Sequence, residues 1–108
     1  MSYKIVATPD FERELKRLSR KYPSLAKDYA ALLELLDSNP KQGISLGNNC
    51  YKIRLAITSK RQGKSGGARV ITYVTIVKET VYLIGIYDKS EQGSMTDKQI
   101  SERLKRSL

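Results

Sequence analysis

The chain has 108 residues, of which 40% are hydrophobic, and a formal net charge of +9 with no histidine and one cysteine. This length and apolar content suit one modest core, so residues 1–108 are predicted to form a single domain. No apolar run approaches the roughly 18 residues of a membrane span, and the lone Cys50 excludes an internal disulfide and argues against zinc. Because "MSYKIVATPD" lacks a secretory signal, we expect a cytoplasmic protein that does not contact membranes.

The positive charge is concentrated in one stretch, residues 38–78, which we call the acid-free block. It carries eight Lys and Arg side chains and no Asp or Glu, whereas the flanking segments are almost neutral. A long segment of one sign favours a polyanionic partner over an incidental basic surface. We therefore predict nucleic acid as the partner, and not a membrane surface, because the block has the pattern of strands and a loop rather than of a basic helix.

The first third of the chain is predicted to be a short strand followed by a helical hairpin. After "YKIVA", Thr8 and Pro9 form a helix-start signature. Apolar residues then recur at helical spacing in two runs, which Pro23 separates. The first run is Phe11, Leu15, Leu18 and Tyr22, and the second is Leu25, Tyr29, Leu32, Leu33 and Leu36.

From residue 50 onwards the period changes to two, which predicts strands. "CYKIRLAIT" alternates apolar and polar residues, and "RVITYVTIV" and "TVYLIGIYD" are nearly continuous apolar runs expected at the centre of an antiparallel sheet. The tail begins with a second helix-start signature at Thr96 and Gln99. The predicted fold class is α+β with the order β-α-α-β-β-β-α, an antiparallel sheet packed against the N-terminal hairpin, with a C-terminal helix.

Lys52 and Arg54 are the first candidate site residues. Both alternate with core residues on one strand, so they share a face and lie roughly 7 Å apart, a spacing that suits neighbouring phosphates. The alternative is that they only solvate an open sheet face. Arg69 favours a site, because it follows Gly66 and Gly67 and antiparallel pairing can bring it close to the other two cations.

Two further segments carry candidate residues. The loop "KRQGKSGG" places Lys60, Arg61 and Lys64 on a flexible backbone, where they are either RNA phosphate contacts or a solvated hairpin loop. At the end of the last strand, Lys89 is a candidate catalytic residue and Tyr87 a candidate base-stacking residue, although an ordinary surface turn has a similar sequence.

Several chemistries are disfavoured. Cys50 has no histidine partner and is predicted to be structural rather than nucleophilic. No cluster of carboxylates is available for magnesium, so a two-metal nuclease is excluded and no cofactor is expected.

The sequence resembles the RelE/ParE superfamily of bacterial toxins, and within it the RelE and HigB-like branch. The likeness rests on the order of elements and on "CYKIRL", "GKSGGARVITYV" and "YLIGIYDKSE", and it covers nearly the whole chain. It implies a type II toxin that enters the ribosome and cleaves messenger RNA without a metal. In that reaction the ribose 2′-hydroxyl attacks the adjacent phosphate.

The resemblance also implies roles for individual residues. Lys52, Arg69 and Lys89 match basic residues of the family, and Arg54 stands where a second lysine is usual. Lys52 or Lys89 would then act as the base, while Arg54 and Arg69 stabilise the phosphate charge. Two positions depart from the family pattern: Ser90 replaces an arginine, and the C-terminal tyrosine would fall near Met95 or Thr96.

The resemblance further implies a cognate antitoxin encoded in the same operon, and contact with operator DNA only through the antitoxin complex. Two other functions stay open: a ParE-like inhibitor of DNA gyrase, and a nucleic-acid-binding module without chemistry. The first of these has no need of three phosphate-binding cations.

Overall fold

The computed structural model describes residues 3–61 and 63–108, so Met1, Ser2 and Gln62 of the predicted basic loop lie outside the described residues. The elements, in chain order, are β1 (Lys4–Ala7), α1 (Pro9–Lys21), α2 (Leu25–Ser38), β2 (Ile44–Gly47), β3 (Cys50–Leu55), a 3-10 turn (Thr58–Lys60), β4 (Ala68–Thr75), β5 (Thr80–Asp88) and α3 (Asp97–Ser107). The predicted α+β order is confirmed, with β2 as an additional strand.

The helix starts form as their sequences predict. The Thr8 side chain accepts a hydrogen bond from the Phe11 amide at 3.3 Å, and Pro9 occupies the first helical position of α1. At α3, Thr96 and Gln99 form a reciprocal capping box. The rings of Phe11 and Tyr29 lie 5.7 Å apart and join α1 to α2, which confirms the helical hairpin.

The five strands form one sheet in the order β1-β5-β4-β3-β2. All neighbouring pairs are antiparallel except β1 and β5, which are parallel. The sheet is therefore mostly antiparallel, and the two apolar runs lie inside it as predicted. The parallel pair arises because the chain crosses from β1 through the helical hairpin and the other strands before it returns to β1 as β5.

The two faces of the sheet have different covers. The helical hairpin covers one face and buries Leu18, Leu32, Ile53, Val70 and Ile86 with other apolar residues. The α3 helix and the segment before it cover part of the other face, where Ile71, Ile84, Met95 and Ile100 form a second, smaller cluster. Alternation along β3 thus directs apolar side chains to the hairpin and Lys52 and Arg54 to the α3 face.

Two segments that are distant in sequence meet at one end of the sheet. We call residues 56–67 the β3–β4 loop and residues 88–92 the β5 turn. Ala68 pairs with Asp88, and the Lys89 amide donates to the Gly67 carbonyl at 3.0 Å. A Cβ on Gly67 would lie 2.2 Å from the Leu55 carbonyl oxygen, so this close approach requires glycine.

None of the helices in the described residues is sufficiently long and apolar to cross a membrane.

Candidate functional site

The strand register brings three of the predicted site residues to one face of the sheet. Arg54 of β3 is paired directly with Arg69 of β4, and Lys52 is paired with Ile71 two positions along. Residues paired across antiparallel strands have Cα atoms about 4.5–5.5 Å apart, and residues two apart on a strand are separated by about 7 Å. The expected shared face is therefore confirmed. We call Lys52, Arg54 and Arg69 the cationic row.

The two β3 members of the cationic row lack charge compensation. Arg54 is exposed and Lys52 is half-buried. Within residues 3–61 and 63–108, neither side chain forms an ion pair. Like charges placed opposite each other on a sheet are unfavourable, so a polyanion that neutralised them would be attracted to this face.

Arg69 has a different environment from its two neighbours. It is only 5% exposed. Its guanidinium donates to the carbonyls of Lys64 at 2.8 Å, Ala68 at 3.1 Å and Ser65 at 3.3 Å. Arg69 therefore holds the end of the β3–β4 loop as well as lying in the cationic row.

Lys89 is brought to the same end of the sheet by the β5 turn. It is exposed, and its backbone hydrogen bond to Gly67 places it beside the strand end that leads to Arg69. Lys89 therefore lies at the Arg69 end of the cationic row, whereas Lys52, which is paired with Ile71, lies further along the sheet.

The three cations of the β3–β4 loop do not behave alike. Arg61 and Lys64 are exposed, and Arg61 ends the 3-10 turn in a left-handed conformation with φ 57°. Lys60, which was expected to bind RNA, has a side chain only 10% exposed, and its ammonium lies 2.9 Å from a carboxylate oxygen of Asp88. The expectation that Lys60 is a free cation available to RNA phosphates is therefore wrong. It failed because the partner acid, Asp88, lies outside the acid-free block.

Asp88 is the centre of a buried polar cluster that the sequence did not reveal. Its side chain is fully covered. It accepts hydrogen bonds from the Tyr22 hydroxyl, from Lys60 at 2.9 Å and from the Ser90 amide and hydroxyl at 2.9 and 2.7 Å. Burial alone would raise the pKa of Asp88, but these hydrogen bonds outweigh it and hold the pKa of the carboxyl well below its usual range.

No protein-family model matches the sequence. Among solved structures, a double mutant of the Escherichia coli toxin RelE in the free state is 21% identical, with a TM-score of 0.62 over 100% of both chains. The isolated E. coli RelE toxin is also 21% identical, with a TM-score of 0.59 over 97% of this chain and 98% of that one.

A third structure is the toxin-antitoxin complex RelBE2 from Mycobacterium tuberculosis. It is 16% identical, with a TM-score of 0.57 over 82% of this chain and 92% of the matched chain. All three matches have a TM-score of at least 0.57 and cover most of this chain. The chain has the fold of the RelE toxins.

Within this RelE fold, the positions at which the family's C-terminal tyrosine would fall have structural roles. Met95 is 8% exposed and packs on the α3 face of the sheet. Thr96 caps α3. Ser90, which stands where the resemblance places an arginine, donates a hydrogen bond from its hydroxyl to Asp88.

Tyr87 is the second predicted RNA contact that the structure corrects. It lies opposite Arg69 on β5, but it is only 2% exposed and belongs to the cluster beneath α3. Burial raises the pKa of Tyr87, while Arg69 and the Met95 amide act in the opposite direction. A ring so covered has no face available for stacking on a base, because it packs with Met95 and Ile100 on the α3 face of the sheet.

The remaining reactive groups are poor candidates for this RelE-fold site. Cys50 is buried, and burial raises the pKa of its thiol, which disfavours the thiolate. In the parts of the chain that the structure describes, no three His, Cys, Asp or Glu side chains are grouped so as to hold a metal ion.

Proposed function

We propose that the chain is the toxin of a type II toxin–antitoxin system and that it cleaves messenger RNA on the ribosome without a metal ion. One observation carries the proposal: Arg54 and Arg69 are paired across adjacent strands, with Lys52 on the same face and no acidic partner for Lys52 or Arg54 among the described residues. The similarity of the fold to that of RelE also supports the proposal, as a similarity of architecture alone.

The proposed reaction is attack by a ribose 2′-hydroxyl on the adjacent phosphate. The neutral amine form of Lys52 or Lys89 would take the hydroxyl proton, and the ammonium so formed would give a proton to the 5′-oxygen as it leaves. Arg54 and Arg69 would stabilise the negative charge that develops on the phosphate oxygens, because guanidinium groups bind such oxygens with two parallel hydrogen bonds. The 5′-oxygen leaves as a hydroxyl, and the other product carries a cyclic phosphate.

Arg61 and Lys64 would contact the RNA backbone beside this site. Both are exposed at the end of the sheet that carries the cationic row. Contacts of this kind bind phosphates and carry no sequence information. Recognition of the messenger RNA would therefore depend on the ribosome rather than on a base sequence.

The proposal includes an antitoxin as a partner. The M. tuberculosis structure is a complex of a toxin with its antitoxin. For the present chain we propose an antitoxin from the same operon whose acidic or apolar segments cover the basic face, and operator DNA bound only through that complex.

One observation favours a second candidate, a binding module without chemistry. Arg69 is 5% exposed and already donates hydrogen bonds to three carbonyl groups. For Arg69 to reach a phosphate, the carbonyls of Lys64 and Ser65 must be displaced. If they are not displaced, Lys52 and Arg54 hold RNA without the full set of groups needed for cleavage.

Primer extension on messenger RNA after brief expression tests the proposal. Cuts at codons in the ribosomal A site support cleavage, and loss of the cuts in Lys52→Ala with retention in Lys78→Ala assigns them to the cationic row. Lys78 belongs to the same acid-free block but lies in the turn at the opposite end of β4. DNA damage without cuts would indicate a gyrase inhibitor, and neither effect would indicate a binding module.

A further inference from the structure

The β5 turn and the β3–β4 loop are held together by one buried carboxylate, that of Asp88. The loop contributes Lys60, whose ammonium contacts Asp88 at 2.9 Å and the Ser90 hydroxyl at 3.1 Å. This ammonium also lies 5.3 Å from the centre of the Tyr22 ring. Side chains from the residue that follows α1, from the loop and from the turn therefore converge on Asp88.

Asp88 also determines the conformation of the turn that carries Lys89. Its side chain accepts from the Ser90 amide, two residues further on, which is the pattern of an Asx turn. Its backbone carbonyl accepts from the amides of Glu91 at 3.0 Å and Gln92 at 3.2 Å. With the hydrogen bond from Lys89 to Gly67, these contacts fix the backbone on both sides of Lys89.

The far end of the same loop is fixed from the cationic row. Arg69 binds the carbonyls of Lys64 and Ser65. The loop is thus held at its beginning by Asp88, through Lys60, and at its end by Arg69. A change at either point would alter the relative positions of Lys64, Arg69 and Lys89.

We propose that Asp88 is the positioning residue of the cationic site, and that the Lys60–Asp88 ion pair sets the position of Lys89 relative to Arg69. Asp88 does not contact the substrate. Its carboxylate is fully covered, and its partner Lys60 is nearly so. The other carboxylate of the turn, Glu91, has exposed partners in Arg17 and Lys21, and exposed pairs hold geometry weakly.

This inference rests on the proposed function, because the effect on catalysis assumes that Lys89 and Arg69 act on RNA. The test compares Asp88→Asn with the double variant Lys60→Met, Asp88→Asn. The single variant leaves a buried ammonium without its partner and is expected to be strongly destabilised. The double variant removes both charges and is expected to regain stability.

The two variants separate positioning from simple stabilisation. If Asp88 positions the site, the folded double variant loses about 100-fold in kcat with KM nearly unchanged, as expected when a reacting group is misplaced. Glu14→Gln is the control, since Glu14 pairs with Arg103 of α3 at 2.7 Å in a partly covered ion pair and accepts from the Ile86 amide within β5, and its kcat should equal that of the wild type. A double variant that is stable and has wild-type kcat would overturn the proposal.

Hydrogen exchange provides a readout that does not depend on cleavage. In the double variant, the amides of Lys89, Glu91 and Gln92 should exchange at least about tenfold faster, while those of β4 and β5 keep their protection. Unchanged exchange in the turn would contradict positioning by Asp88. If the wild-type protein does not cleave messenger RNA, the proposed function fails and the exchange result alone decides the role of Asp88.

Discussion

Arg54 and Arg69 lie directly opposite each other on adjacent antiparallel strands. The pair is asymmetric, because Arg54 is exposed and unpaired among the described residues whereas Arg69 is buried and bonded to backbone carbonyls. One arginine thus shapes the loop and the other faces solvent. Because the two positive charges are close, they raise the free energy of the folded state, and a bound anionic ligand would lower it.

Replacing Arg54 by glutamine should therefore stabilise the fold while reducing function. The substitution removes a like-charge pair across the sheet, so we expect the free energy of unfolding to rise by up to about 1 kcal/mol. Messenger RNA cleavage should fall by at least about 100-fold if the guanidinium stabilises the phosphate. Urea unfolding and primer extension measure the two effects. A variant that is both less stable and fully active would contradict this account of the pair.

Replacing Arg69 by alanine should reduce both cleavage and stability. Three carbonyls lose a charged donor, so we expect a loss of about 2–3 kcal/mol in the free energy of unfolding. Arg69→Lys keeps the charge but not the planar fork, and should recover only part of either property. The measurements are urea unfolding, and hydrogen exchange at Gly67, whose amide donates to the Lys64 carbonyl at 3.3 Å. Wild-type stability in Arg69→Ala would show that the loop does not depend on this side chain.

The depressed pKa of Asp88 gives a prediction for stability against pH. Since the folded pKa lies below the unfolded value of about 3.9, the stabilisation is complete above that pH and is lost as the pH falls through the folded pKa. The wild type should exceed Asp88→Asn by about 3–5 kcal/mol at pH 6, and by progressively less below about pH 4. The pKa values of Asp10 and Glu91 are also lowered. Both residues are present in both proteins, so their contributions to the pH dependence of stability cancel in the difference. A difference that did not change between pH 6 and pH 3 would exclude Asp88 as the source.

Most of the fold was predictable because its determinants are local. Period-two alternation placed Ile53 and Lys52 on opposite faces, and the capping residues Thr8 and Thr96 marked the helix starts. The edge strand β2 was missed, because Ile44–Gly47 has only four residues and is exposed along its whole length, so its apolar residues Ile44 and Leu46 mark no buried face. The parallel pairing of β1 was missed because a strand of four residues carries no signal of its partner.

Only the part of the site that depends on strand geometry was predictable from the sequence. The shared face of Lys52, Arg54 and Arg69 followed from alternation and antiparallel pairing. Burial of Tyr87 depended on where the segment before α3 crosses the sheet. The pairing of Lys60 with Asp88 joins residues 28 positions apart. Contacts of this kind depend on loop conformation, which neither composition nor periodicity specifies.

A comparison of Lys64→Ala with Lys78→Ala tests whether the exposed loop cations bind RNA or only add to the overall charge. Both are exposed members of the acid-free block, but Lys64 lies beside the cationic row and Lys78 in the turn at the other end of β4. Each alanine substitution removes one positive charge, so a purely non-local field would weaken RNA binding equally in both. If Lys64 contacts a phosphate, Lys64→Ala should reduce the slope of log K against log salt concentration by about 0.7 on single-stranded RNA, whereas Lys78→Ala should leave it unchanged. Fluorescence anisotropy between 50 and about 300 mM salt measures the slope, and equal slopes in the two variants would remove the loop from the RNA interface.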